Sequence, residues 1–227
     1  MSSKSMVEIK ICGIKDLAAM DAALNARVNF VGLVFFPASP RAVTLVEAAK
    51  LAERARGRAL VTALLVDADD ALIGDIVAQV KPDLLQLHGK ESAERVMALR
   101  ARFGKPVMKA IAVECAEDLR SLAVYESVVD RILFDAKSPE DASRPGGHGR
   151  SFDWKLLSKV SRKKPIMLSG GLTPENVAEA IRIVCPDAVD VSSGVERSPG
   201  KKDPEKINAF AANVRATTTH ILPENVS

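Results

Sequence analysis

Aromatic residues are scarce in this chain: one Trp, one Tyr and seven Phe make up 4% of 227 residues. Platforms on which nucleic-acid bases could stack are therefore few. No sign of charge dominates either. Thirty-two Lys and Arg stand against 29 Asp and Glu, a formal net charge of +3, and the charges are scattered rather than gathered into a basic patch. Both facts argue against nucleic acid as a partner. Long hydrophobic runs are missing. The longest stretch without a charged residue is Val28 to Pro40, 13 residues interrupted by Asn29, Gly32, Ser39 and two prolines, whereas a membrane helix needs about 20 mostly apolar residues. The opening MSSKSMVEIK has no apolar segment of signal-peptide length. Cysteines number three, Cys12, Cys115 and Cys185, far apart and without a CxxC pair. That fits a reducing cytoplasm rather than a disulfide framework or a zinc finger. No HExxH, EF-hand loop, P-loop or GxGxxG occurs, so no metal or nucleotide cofactor is indicated.

What is present is ordinary for a soluble globular protein: 47% apolar and 27% charged residues. Short, β-rich apolar runs recur at Val7–Ile11, Phe30–Phe35, Leu60–Val66, Leu84–Leu87, Val107–Ile111, Ile132–Phe134, Ile166–Leu168 and Ala188–Val191. Several are continuously apolar, as strands covered on both faces should be. Between them lie helix-period sets such as Leu17, Met20, Leu24 and Val96, Leu99, Phe103, with later ones at Val177, Ile181, Val184 and Ile207, Phe210, Val214. Thr173-Pro174-Glu175 and Asp203-Pro204-Glu205 each place an N-cap before a proline at the first helical position. Eight βα units in one ordinary-sized domain most simply close into a (β/α)8 barrel, a single α/β TIM barrel over residues 1–227 with its core at about 7–215. An open doubly wound sheet is the alternative. Ala136–Arg150 reads as a long loop, and Met1–Ser5 and Thr217–Ser227 as extensions, the latter a loosely ordered tail.

Barrel enzymes place chemistry at the C-terminal ends of the strands. Cys12 ends the first strand. A buried cysteine is either a small hydrophobe or a nucleophile or base. Lys10 shares its face and would lie in the barrel interior beneath it, with Asp190 on the last strand as its candidate partner; a cation there favours the thiolate. Arg41, stiffened by Pro37 and Pro40, offers a bidentate fork to a carboxylate or phosphate, or else is a solvated surface arginine. Gln86 and His88 share a face at the end of the fourth strand, either hydrogen-bonding a substrate or forming a polar rim. Asp135 follows an apolar run and, partly dehydrated beside a bound phosphate, would keep its proton and act as an acid, or else caps its loop. Gly170-Gly171 and Ser192-Ser193-Gly194 follow the last two strands, where barrels commonly grip phosphate with backbone N–H groups and a short helix N-terminus; tight turns are the plainer reading.

Seven segments together resemble phosphoribosylanthranilate isomerases: KICGIKD (10–16), VGLVFFPASPR (31–41), LLQLHG (84–89), LFDAK (133–137), GGHGRSFDW (146–154), LSGGLTPENV (168–177) and DVSSGVERSPGKKD (190–203). The likeness spans about Val7 to Val214 in order and spacing. It implies a cofactor-free barrel of tryptophan biosynthesis. The reaction is the Amadori rearrangement of N-(5-phosphoribosyl)anthranilate to 1-(2-carboxyphenylamino)-1-deoxyribulose 5-phosphate. It further implies Cys12 as general base, Asp135 as general acid, Arg41 on the anthranilate carboxylate, and phosphate held by Gly170-Gly171 and Ser192-Ser193-Gly194. The implied partner is a small phosphosugar, with no nucleic acid and no membrane; a monomer is favoured over a dimer. Two rivals stand beside this reading. A related histidine-pathway isomerase resembles it but uses two aspartates, which Cys12 argues against. A barrel that only binds phosphorylated ligands would keep the Gly/Ser loops and lose the acid or the base.

Overall fold

The computed structural model describes residues 6–137, 146, 151–158, 160 and 162–221. Alternating apolar runs and amphipathic stretches become eight parallel strands: β1 (Glu8–Cys12), β2 (Phe30–Val34), β3 (Leu60–Leu65), β4 (Leu84–Leu87), β5 (Val107–Val113), β6 (Arg131–Ala136), β7 (Ile166–Leu168) and β8 (Ala188–Val191). They hydrogen-bond in sequence order, and β8 pairs back onto β1 to close the barrel. Closure removes every exposed sheet edge, so the expected (β/α)8 barrel is found and the open sheet is not.

Five helices pack outside the first six strands: α1 (Leu17–Asn25), α2 (Leu45–Ala55), α3 (Asp70–Gln79), α4 (Ala93–Phe103) and the short α5 (Leu122–Glu126). A 3₁₀ turn at Trp154–Leu157 lies between β6 and β7, and α6 (Val177–Val184) links β7 to β8. After β8 a small hairpin, β9 (Glu196–Ser198) and β10 (Lys201–Lys202), precedes α7 (Pro204–Ile221). Local chemistry sets the helix starts. Asp16, Asp69 and Ser92 each accept an N–H of the first turn, and Thr44 with Glu47 forms a reciprocal capping box before α2.

Two apolar layers hold the fold. One lies between strands and helices and includes Ile11, Leu33, Ile73, Val96 and Phe210, all fully or nearly fully buried. The other plugs the barrel's lower interior with Phe30, Leu84, Met108, Leu133 and Met167. Each such side chain removed from water contributes roughly 1.5–3 kcal/mol. No helix among the described residues is long and apolar enough to cross a membrane.

Three local expectations are corrected. Leu17 starts α1 but is 53% exposed rather than core, since only Met20 and Leu24 of its set face the strands. The helix expected from Thr173 starts at Val177 instead. Asn176 accepts from the Thr173 N–H and donates to the Gly171 carbonyl, which holds 173–176 in a turn. The tail expected from Thr217 is helical to Ile221, and the Thr217 hydroxyl is absorbed by the Asn213 carbonyl one turn back. Residues 1–5, 138–145, 147–150 and 222–227 lie outside the described residues, and with them the N-terminal extension, most of the long loop and the rest of the tail.

Candidate active site

Side chains of strands β1, β6 and β8 and of the loops after β2 and β4 meet at the C-terminal mouth. There Cys12, Arg41, His88, Asp135, Asp190 and Ser192 line one cleft. A larger groove at the opposite mouth, lined by Arg27, Arg58 and Asp83 among others, contains neither cysteine nor histidine.

The β1–β8 register sets Lys10 opposite Asp190. The Lys10 Nζ lies 3.0 Å from Asp190 Oδ1 and is fully buried, so the pairing expected from strand parity is present. Burial works against the ammonium, yet Asp190 and Cys12 beside it raise its pKa overall. For Cys12 the balance runs the other way. Burial pushes the thiol up, Lys10 pulls it down, Asp190 adds to the rise and Lys202 subtracts, and the net direction is up. Lys10 therefore acts in the expected sense without prevailing over burial. Space for the sulfur comes from β2. Gly32 pairs with Cys12 across the ladder, and a Cβ on Gly32 would sit 2.8 Å from Cys12 Sγ.

Asp135 sits at the end of β6, 5% exposed, one oxygen accepting from the Ala136 N–H at 3.0 Å and the other 3.2 Å from His88 Nε2. Gly146 presses on it from the β6–β7 connection, where a Cβ would stand 2.5 Å from Asp135 Oδ2. Asp135 is thus held by its neighbour Ala136, by Gly146 of the loop that follows it and by His88 at the end of β4.

The structure narrows the Arg41 contact and moves Gln86 away from the cleft. Arg41 is not a solvated arginine with a free fork. It is 4% exposed, and its Nε and Nη2 donate to the two oxygens of Glu196 at 2.8 and 2.9 Å. A ligand carboxylate can meet only the opposite edge of the guanidinium. Gln86 is wholly buried below the rim, and its amide nitrogen lies 3.0 Å from His88 Nδ1. It touches His88 and not the cleft. Its Oε1 has no partner among the described residues, a loss worth about 1–3 kcal/mol.

The Gly/Ser loops have structural duties of their own. Gly170 and Gly171 adopt positive φ, and a Cβ on Gly194 would fall 1.9 Å from the Leu172 carbonyl oxygen, so these glycines let the two loops interlock. The Ser192 hydroxyl donates to the Cys12 carbonyl. The short helix expected after β8 is a single 3₁₀ turn, Ser193–Val195, too short to carry a useful dipole.

Sequence reasoning missed Glu196 and Lys202. Lys202 Nζ bonds Glu196 Oε1 at 2.9 Å and the Ser192 carbonyl at 2.9 Å, while Glu196 Oε2 accepts from the Gly200 N–H. Burial raises the Glu196 carboxyl, but Arg41 and Lys202 outweigh that and hold it below its usual range; Lys202 is lowered chiefly by its own burial. The hairpin β9–β10 thereby ties the Arg41 loop to the Ser192 loop. A Ser-Pro-Gly turn flanked by Glu196 and Lys202 was the available signal.

Residues 9–213 match the family model described as N-(5'phosphoribosyl)anthranilate (PRA) isomerase. An N-(5'-phosphoribosyl)anthranilate isomerase of Rhodopseudomonas palustris (strain BisA53) is 56% identical over 211 residues, covering 93% of this chain and 97% of the relative. The crystal structure of phosphoribosyl anthranilate isomerase from Thermotoga maritima superposes with a TM-score of 0.84 at 37% identity, covering 93% of this chain and 100% of that one. A further phosphoribosyl anthranilate isomerase structure holds reduced 1-(o-carboxyphenylamino)-1-deoxyribulose 5-phosphate. It gives a TM-score of 0.80 at 33% identity, with 93% and 100% coverage.

Removing Glu196 leaves two buried cations, Arg41 and Lys202, without their shared anion. Glu196→Ala is expected to lower the unfolding free energy by about 3–5 kcal/mol in urea titration. A midpoint within error of the parent would show that the three-residue cluster does not hold the hairpin.

Proposed function

Because the chain belongs to the N-(5'-phosphoribosyl)anthranilate isomerase family and is an isomerase of tryptophan biosynthesis, we propose that Asp135 and Cys12 are its acid and base. The reaction converts N-(5'-phosphoribosyl)anthranilate to 1-(2-carboxyphenylamino)-1-deoxyribulose 5-phosphate. The observation that carries the assignment is that both side chains open on one cleft. Asp135 gives its proton to the ribose ring oxygen as the C1–O bond breaks, and the nitrogen lone pair forms the iminium. Cys12, as thiolate, takes the proton from C2. The electron pair released becomes the double bond of an enolamine, which tautomerises to the ketone. The groups must begin in opposite protonation states, which their surroundings have to impose.

Around that pair we place the rest of the substrate. Its carboxylate meets the edge of Arg41 that Glu196 leaves open, and its phosphate meets backbone N–H groups of the Gly170-Gly171 and Ser192-Ser193-Gly194 loops. His88 borders the reacting ring. We read the chain as one barrel domain with its core at about 7–215. We also read the monomer as the catalytic unit, since the exposed large apolar residues among the described ones, such as Val46 and Val124, sit on different helices. Three unpaired cysteines support a cytoplasmic setting.

Substrate made in situ from anthranilate and phosphoribosyl pyrophosphate by the preceding transferase tests the activity through loss of anthranilate fluorescence. In that assay Cys12→Ser and Asp135→Asn should each lower kcat by about 10²–10⁴-fold with KM nearly unchanged; near-normal turnover in either would remove its role. Arg41→Ala should act mainly on KM through loss of a charge-assisted pair of about 1.5–3 kcal/mol, and an unchanged KM would count against the carboxylate contact. The pH profile carries a further test. Lys10 pulls the Cys12 pKa down, so Lys10→Met should move the acidic limb of kcat/KM to higher pH. A limb that stays put, in a variant that still folds, rules Lys10 out as the group that favours the thiolate.

A further inference from the structure

Gln86 lies on the inner face of β4, fully buried and one step below the cleft. Its side chain makes one hydrogen bond among the described residues, from Nε2 to His88 Nδ1 at 3.0 Å, and its Oε1 is left without a partner. An amide nitrogen can only donate, so Nδ1 must accept. A neutral imidazole carries one N–H, and that proton then belongs to Nε2, which lies 3.2 Å from Asp135 Oδ2. We propose that Gln86 is a positioning residue that fixes His88 as its Nε2–H tautomer, so that His88 donates to the Asp135 carboxylate formed when the acid releases its proton. This rests on reading Asp135 as the acid.

The geometry suits that task. Oδ1 accepts from the Ala136 N–H and Oδ2 faces His88, so the charge left on Asp135 after transfer is met by donors already in place. Among the described residues, the other ionic groups near His88 are tied to partners of their own. Lys109 of β5 donates to the Leu87 and Gly89 carbonyls on either side of His88 and pairs with Glu91. Across the cleft, Lys10 pairs with Asp190 and Arg41 with Glu196. Among the described residues the amide is held toward the imidazole while its Oε1 finds no partner.

The chain has three histidines, His88, His148 and His220, so ring-nitrogen NMR of the full, ¹⁵N-histidine-labelled protein can be assigned with a His88→Asn variant. The wild type should show His88 protonated at Nε2 and bare at Nδ1 at neutral pH. Gln86→Glu replaces the donor by an acceptor, so Nδ1 should gain a proton and Asp135 should be pinned as an anion. kcat should then fall by at least about tenfold with KM changed less than about twofold. Gln86→Met, which neither donates nor accepts, should show a mixed tautomer and a smaller fall. A wild-type proton on Nδ1 overturns the proposal while leaving the acid role of Asp135 intact, and this needs no variant to fold. Equal losses in Gln86→Glu and Gln86→Met with an unchanged ring pattern also overturn it, because that marks a packing role. Full turnover in Asp135→Asn removes the acid role, and with it the purpose of the bond, whatever the ring shows.

Discussion

The pairing of β8 with β1 is the constraint on which the rest depends. That ladder closes the barrel, and its register brings Lys10 against Asp190 at 3.0 Å in a wholly buried position. An ion pair taken out of water is a poor source of stability, since the desolvation of two charges offsets most of their attraction. Apolar residues of the same size would serve the fold as well. The pair is therefore best understood through what lies above it. Cys12 is two residues further along β1 on the same inner face, and both members of the pair act on its sulfur, Lys10 toward the anion and Asp190 against it.

The mouth of the barrel thus contains a tension that no single residue resolves. Burial strengthens every electrostatic interaction there, and the same burial makes a thiolate hard to form. Two cations stand near the sulfur, Lys10 from below and Lys202 from the hairpin. Each is itself tied to a carboxylate, Asp190 and Glu196 respectively. The sulfur meets largely neutralised pairs, and its pKa rises rather than falls. Such an arrangement leaves the base responsive to its immediate neighbours, because small movements of either pair change how much positive charge it faces.

How much of this was legible in the sequence follows from which interactions are local. Strands were readable because parallel strands covered on both faces are apolar but for single inward polar positions such as Gln86 and Asp190, and Leu84–Leu87, Ile166–Leu168 and Ala188–Val191 begin and end where their apolar runs do. The inward face of β1 followed from the two-residue period, which placed Lys10 under Cys12 and pointed to Asp190 across the closing ladder. What was not legible were pairings between loops. Arg41 and Glu196 are 155 positions apart, and nothing in PASPR or VERSPGKK says that one fork will find the other. The depth of Gln86 was misjudged for a related reason. Alternation says which way a side chain points but not how far below the rim it lies, which depends on the stagger of neighbouring strands. Thr217 and Thr173 misled through side-chain hydrogen bonds, one absorbed into a helix and one displaced by Asn176.

Those unread contacts share a physical character. Glu196 with Arg41 and Glu91 with Lys109 are buried polar groups whose partners come from another strand or another loop. Inside the barrel mouth a polar atom without a partner is costly, so each such contact specifies one relative placement of two loops far more sharply than apolar packing does. The apolar layers between strands and helices make the barrel stable and tolerate many substitutions of similar volume. The polar lattice at the C-terminal mouth instead fixes where the sulfur, the carboxyl and the guanidinium stand relative to one another. A reaction that needs a proton donated on one side of a sugar and removed on the other depends on that placement more than on stability, and here the placement is set by residues that do not themselves face the cleft.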